Sequence, residues 1–315
     1  FYTFIVISLV SLLIIGWVIN NFYSSSNLEK PVTLVFASGT HFSEMVDKLA
    51  ENNVIKYPFI FKSIMWLNGK SSRVKAGEYL FSANISPKEV SILLASGKTV
   101  IRQITIPEGL TSHEIIEIIK NNEYFSGEIT LDIKEGELLP ETYNFARGDK
   151  RNDIINRMRL AMNKVFEEAW VGRDNNLPFS DKNSALTLAS IVEKETSLPS
   201  ERSRVAAVYI NRLKKGMLLQ ADPTTIYAVT LGKYKLNHPL NHADLALKSP
   251  YNTYQTLGLP PTPIANPGKA SIIAALHPIS SDELYFVANG SGGHNFASTI
   301  GEHSENVRKY RALQK

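Results

Sequence analysis

No charged side chain precedes Glu29 in this 315-residue chain, and that absence limits what its first segment can be. Residues 1–23, FYTFIVISLVSLLIIGWVINNFY, are uncharged and mostly apolar, and a helix of about 20 such residues crosses a hydrocarbon core. Trp17, Phe22 and Tyr23 fall near its far end, where amphipathic rings favour the membrane–water boundary, and SSSN follows as a flexible exit. The run is longer than the apolar core of a signal peptide and lacks an Ala-x-Ala-like cleavage site. An uncleaved anchor is therefore favoured over a signal sequence or a buried core helix. Because the sequence opens on Phe1 rather than Met, a further N-terminal stretch is expected, and its charges would set the orientation of the span.

The remainder has globular composition, 43% hydrophobic and 20% charged, with length for roughly two folded units. A net charge of +4 without clustered Lys/Arg runs argues against nucleic-acid binding. With no cysteine in the chain, disulfides, thiol catalysis and Cys-ligated zinc are excluded. Neither a metal nor a cofactor is expected: His238 and His242 are four apart but separated by Pro239, no His-Glu-x-x-His occurs, and NGSGGHNF lacks the Lys-Ser/Thr of a phosphate loop.

The fold class read from the pattern is α+β: an anchor over 1–23, a small α+β module over 31–135, and a mixed α/β domain over 136–315. VTLVF predicts a strand, Gly39-Thr40 a turn, and Met45, Val46, Leu49 and Val54 a helix. A similar run returns at ITIPEG-LTSHEIIEIIKNN, with Gly109 matching Gly39 and Glu114 matching Glu44, which suggests one module used twice. Between them GEYLF reads as a strand, and the next helix has Ser86 as N-cap, Pro87 at its first position and Gly97 as its stop. Further on, 149–170 is an amphipathic helix, and ALTLASIVEKE begins another near Ala185. From Asp222 to Pro278 the chain is rich in Pro, Gly, Asn and Tyr, and it ends on a strand, ELYFVANG, and a helix. Ordered loops over a helical base commonly line a site.

The helix near 185 carries the strongest chemical signal. Its apolar stripe through Ala185, Leu188, Ile191 and Val192 continues onto Glu195, so that carboxylate should face inward. Glu193 lies about 160° away, and at most one of the pair can share that face. Burial raises a carboxyl pKa and yields a general acid usable near neutral pH. The plain alternative is a helix-end Glu that ion-pairs with Lys194, Arg202 or Arg204. Asn211, Arg212, Gln220 and Asp222 crowd the following segment; Asp222 before Pro223 reads as a second carboxylate or simply a turn residue or N-cap. Tyr251, Asn252 and Tyr254 sit in a Pro-rich loop, with flat apolar faces and hydrogen-bonding groups suited to a sugar or, equally, to a rigid structural loop.

Five stretches together carry a resemblance: LLPETYNF at 138–145, LASIVEKET at 188–196, VYINRLKKGMLLQADPTTIY at 208–227, SPYNTYQTLGLPPTPIANPG at 249–268, and HP with LYFVANGSGGHNF at 277–296. In these, and over most of its length, the chain resembles the endolytic murein transglycosylase family, the YceG-like proteins. The resemblance implies a LysM-like module at 31–135 ahead of a YceG-like catalytic domain. It implies a lyase that cuts the β-1,4 bond between N-acetylmuramic acid and N-acetylglucosamine within nascent glycan strands, leaves 1,6-anhydro ends and terminates strand elongation. It assigns Glu195 as the catalytic acid, and the polar residues flanking that helix and in the loops, Glu193, Asn211, Arg212, Gln220, Asp222, Tyr251, Asn252, Tyr254 and His294, are read as candidate substrate contacts. The expected partners are peptidoglycan strands and the synthases and other proteins of wall elongation, and the expected location is the inner membrane with the catalytic domain periplasmic. Two other readings compete: a muramidase-like hydrolase using Glu195 with Asp222, and a non-catalytic wall-binding scaffold.

Overall fold

The computed structural model describes residues 2–37 and 39–314; Phe1, at the head of the expected anchor, lies outside them. The chain forms two compact units. The first contains residues up to 103 together with 124–126 and 144–149, and the second the remainder. The architecture is α+β throughout.

In the first unit, α1 (Tyr2–Tyr23) is long and apolar enough to cross a membrane. Strand β1 (Val32–Phe36) leads to α2 (Phe42–Glu51) and α3 (Pro58–Leu67), and the chain returns along β2 (Gly77–Phe81) before α4 (Pro87–Ser96). β1 and β2 pair antiparallel, Val32 opposite Phe81 and Phe36 opposite Gly77. The alternation of a strand sends Leu34 and Phe36 into a core with Met45, Leu49, Phe61, Met65, Tyr79 and Phe81. Each such side chain contributes about 1.5–3 kcal/mol relative to exposure. The buried carboxylate of Glu78 is held by a two-point bond from Arg102, at 3.0 and 2.8 Å. Helix α4 begins and ends on the expected residues, with a Ser86–Glu89 capping box and Gly97 at φ 67°.

The suggested internal repeat holds only locally. Strand β3 (Ile101–Thr105) pairs with β4 (Thr142–Ala146), which lies beyond the second copy of the run. Gly39 and Gly109 both take positive φ, 87° and 75°. The helices after them start differently: α5 (Ser112–Lys120) has a Thr111–Glu114 capping box, whereas α2 follows His41, which makes no side-chain cap. Glu44 has no hydroxyl partner three residues ahead, so the matching acids do different work. Helix α5 and residues 127–143 pack with the second unit, so its packing begins well before the expected division at 135/136.

The second unit is built on α6 (Arg151–Val171), α7 (Lys182–Glu195), α8 (Arg202–Lys214) and α11 (Lys269–Leu276). Leu188, Ile191 and Val192 of α7 pack with Val205, Ala206 and Tyr209 of α8, Ile272 and Ala275 of α11, and Met162 and Phe166 of α6. Between α8 and α11 lie α9 (Asp222–Thr230), the short α10 (His242–Leu245) and the irregular 249–268 loop. Asp222 is the first residue of α9, with Ala221 at the N-cap, because Pro223 is tolerated in a first helical turn. NGSGGHNF is a hairpin rather than a plain turn: β5 (Tyr285–Ala288) pairs antiparallel with β6 (His294–Ala297) ahead of α12 (Ile300–Leu313). Gly290 and Gly292, at φ 81° and 92°, make that reversal.

Candidate active site

Helix α7 ends on Glu195 because Thr196 turns to an extended backbone, φ −141° and ψ 133°. The carboxyl thus stands at the end of a packed helix, surrounded by protein yet with part of its side chain reaching solvent. The Tyr209 hydroxyl on α8 donates to Glu195 Oε1 at 2.5 Å. Burial pushes the Glu195 carboxyl up to about 7; the Tyr209 hydrogen bond opposes that rise, the like charge of Asp222 adds to it, and His294 and Arg212 work against it. Tyr209 is buried, and burial together with the adjacent carboxyl drives its own pKa well above the ordinary tyrosine value. It stays a neutral donor.

Arg212 lies one turn beyond Tyr209 on α8. Its guanidinium donates to the carbonyls of Leu284, Leu218 and Leu219 at 2.6, 3.3 and 2.7 Å, and the ring of Tyr285 stands 5.2 Å away. This places a fixed positive charge near Glu195 without a direct ion pair. Tyr254 donates its hydroxyl to Asp222 Oδ1 at 2.6 Å. Burial first, then that bond and the charge of Asp222, raise the Tyr254 pKa.

On the hairpin side, Glu201 collects the His294 backbone N–H at 2.8 Å and its Nδ1 at 2.7 Å, with the Thr196 hydroxyl at 3.4 Å. Burial alone would raise the Glu201 pKa, but the two His294 bonds outweigh it and the result is lowered. A carboxylate at Nδ1 leaves Nε2 as the free ring nitrogen. The Phe286 ring stands edge-on to both Tyr209 and His294, at 5.8 and 5.2 Å, and holds the two at a set spacing. A Cβ added at Gly293 would lie 2.6 Å from Glu201 Oε1, so any larger residue there would displace the carboxylate that holds His294.

Of the residues singled out in the sequence, Glu195, Arg212, Asp222, Tyr254 and His294 therefore converge electrostatically on one place. The helix-end ion pair is not formed: Lys194 donates to the Gly109 carbonyl, Arg202 pairs with Glu108 and Glu193, and Arg204 pairs with Glu283. Glu193 does project away from Glu195, but it is not solvated. Its carboxylate is 5% exposed, beside Arg202 at 3.4 Å and accepting the Gly268 N–H at 2.9 Å, because α7 is covered on both sides. Asn211 donates to the carbonyls of Ser281 and Glu283. Gln220 is exposed at φ 50°, its backbone N–H bonded to Thr253. Tyr251 bonds Thr262 and packs on Tyr227.

Asn252 corrects the sequence reading most clearly. It is 0% exposed; its amide donates to the carbonyls of Asp244, Leu245 and Leu247, and its Oδ1 accepts from the Thr225 hydroxyl and the Tyr254 N–H. Every polar atom of that side chain is consumed inside the loop. Asn252 shapes the loop that presents Tyr254 and is closed to a ligand. Sequence reasoning missed Tyr209 and Glu201. A tyrosine on the apolar face of α8 was the available signal, since a buried phenol needs a partner; nothing local announced Glu201, whose partner is 93 residues away.

A carboxyl poised near 7, under a neutral phenol and flanked by a second carboxylate, a buried guanidinium and a carboxylate-held imidazole, defines an acid–base site. The sequence profile of the YceG-like family matches residues 34–309, and the chain belongs to that family. It is 34% identical over 311 residues to the endolytic murein transglycosylase of Bacillus subtilis, covering 89% of this chain and 84% of the relative. Identity to the protein of the same name from Streptococcus pneumoniae serotype 2 is 27% over 332 residues; 90% of this chain is covered, and the chain spans 59% of that relative's length. Among solved structures, a YceG-like protein from Listeria monocytogenes matches with a TM-score of 0.52 and 30% identity, covering 88% of this chain and 99% of the other.

Proposed function

We propose that this chain is an endolytic murein transglycosylase, a lyase acting within peptidoglycan glycan strands, with Glu195 as its acid and base. The observation that carries the reading is the Glu195 carboxyl at about 7 beneath the Tyr209 hydroxyl, joined to the family membership and to the names of the relatives. Protonated Glu195 gives its proton to the glycosidic oxygen as the bond to the anomeric carbon of N-acetylmuramic acid breaks. The resulting carboxylate then takes the proton of that sugar's 6-hydroxyl as its oxygen bonds the anomeric carbon. A 1,6-anhydro end forms, a new N-acetylglucosamine hydroxyl leaves, Glu195 is again protonated, and no water is consumed. Tyr209 steadies the carboxylate between the two transfers. Arg212, Tyr254 with Asp222, and His294 held by Glu201 supply the polar wall for the sugar.

The hydrolase alternative needs Asp222 free to act on water. One of its oxygens already accepts from Tyr254, which favours a positioning role. The first unit, with its β-α-α-β run and separate core, supports a LysM-like wall-binding module, and α1 supports an anchor; a peptidoglycan substrate would put both units on the wall side of the membrane. Wall-elongation synthases are the partners such a placement implies.

Mass analysis of products from intact glycan strands tests the assignment. Transglycosylase ends are one water lighter than hydrolase ends and take no label from ¹⁸O-water. Labelled reducing ends would replace the reading with the hydrolase, and no cleavage would leave the wall-binding scaffold.

A further inference from the structure

Helix α1 does not stand clear of the folded unit that follows it. Phe22 is part of that unit's core, and the Trp17 ring meets the Tyr57 ring at the start of α3, with centroids 5.1 Å apart. At 1.5 Å per residue the 22 residues of α1 reach about 33 Å, scarcely more than the ~30 Å of a hydrocarbon core. Trp17 lies six residues before Tyr23, so Tyr57 meets the helix about 9 Å inside its exit end. A helix that spans the bilayer therefore draws the first turn of α3 down to the headgroup level or below.

That turn is made for such a place. Phe59, two residues beyond Tyr57, is 81% exposed and fills nothing in the protein. A single exposed aromatic on a soluble domain needs no explanation; here it lies two residues from Tyr57, whose ring meets α1 at Trp17. Around it the rings and cations of three elements converge at the exit of α1. The Lys56 ammonium stands 5.3 Å from the Tyr57 ring, and the Lys88 ammonium, from the first turn of α4, stands 4.7 Å from the Tyr23 ring. Both lysines are exposed and neither forms a salt bridge among the described residues. Glu89, next to Lys88 in sequence, is hydrogen-bonded in the Ser86 capping box and feels the Lys88 charge without a direct ion pair. Aromatic rings paired with exposed lysines suit a bilayer surface, where an apolar interior meets anionic headgroups.

We propose that the first unit is seated on the bilayer by a second contact besides the spanning helix: Tyr57 and Phe59 enter the interface while Lys56 and Lys88 bind anionic phospholipid headgroups. The contact fixes the height of the unit above the membrane, and the proposal rests on the membrane-spanning reading of α1.

Because the 315 residues contain no cysteine, single-cysteine variants of this chain test the contact cleanly. Phe59→Cys and Leu12→Cys, each carrying an apolar fluorophore, are reconstituted in vesicles of phosphatidylcholine with phosphatidylglycerol. Nitroxide-labelled lipids at shallow or deep positions, and iodide in the water, serve as quenchers. The expected result is deep-nitroxide quenching at position 12 and shallow-nitroxide quenching at position 59. Neutralising Lys56 or Lys88 with Gln should lower the docked-to-undocked ratio at position 59 by about fivefold for each charge, and only when the anionic lipid is present. Position 12 quenched by lipid with position 59 quenched by iodide alone would overturn the second contact and leave the span intact. Lipid quenching at neither position would overturn both. Shallow quenching at position 59 that ignores anionic lipid and both lysine changes would remove the headgroup half of the proposal.

Discussion

Replacing Glu195 by Gln should destroy activity and at the same time stabilise the fold, in a way that depends on pH. In the folded chain the carboxyl titrates near 7, against an ordinary value of 4.5. The folded state therefore binds the proton more tightly than the unfolded one. Below about 4.5 both states are protonated and the site costs nothing extra. Between 4.5 and 7 the unfolded chain ionises first and stability falls as pH rises; above 7 the loss is complete, of order 3 kcal/mol at 1.36 kcal/mol per pH unit. Glutamine carries no charge at any pH, and its amide oxygen still accepts from Tyr209. Glu195→Gln should thus match the wild type in thermal stability near pH 4.5 and exceed it at pH 8 by up to about 3 kcal/mol, several degrees in Tm for a unit of this size. Activity should fall by at least the upper end of the 10²- to 10⁴-fold range for a single acid–base group, since the same group serves both proton transfers. Calorimetry across pH 4.5–8, paired with product counting on glycan strands, reads both effects. A stability difference that does not grow with pH would refute the desolvated carboxyl, and an active variant would remove Glu195 from the chemistry.

Tyr209→Phe removes a hydrogen bond to the ionised carboxyl worth about 1.5–3 kcal/mol, so the basic limb of the pH–rate profile should move up by about one to two pH units; an unmoved limb would show that the bond does not tune Glu195. Glu201→Gln should weaken turnover through His294, lowering kcat with little change in Tm, and a variant equal to the wild type across the pH profile would make the pair structural only. Asn252→Ala should cost about 2–4 kcal/mol by leaving buried loop groups unpaired, read as a Tm loss; a Tm unchanged alongside a raised KM would instead return Asn252 to the sugar groove.

Local pattern was enough for much of the architecture. The α1 segment is visible because some twenty uncharged, mostly apolar residues in a row have few other fates, α4 because its cap, proline and glycine stops are each short-range, and the burial of Glu195 because a 3.6-residue period propagates along one helix. What the sequence alone could not decide is where polar side chains spend their hydrogen bonds. Asn252 and Tyr254 look alike as loop residues, yet one is consumed by five neighbours inside the protein and the other is turned toward Asp222. Glu193 and Glu195 are two residues apart, and only the cover of α7 by Arg202 on one side and Tyr209 on the other makes one a buried ion pair and the other a near-neutral acid. Glu201 reaches His294 across 93 residues, a separation no local periodicity encodes. Period and capping are properties of neighbours along the chain, whereas a raised pKa is a property of neighbours in space, which only tertiary packing supplies.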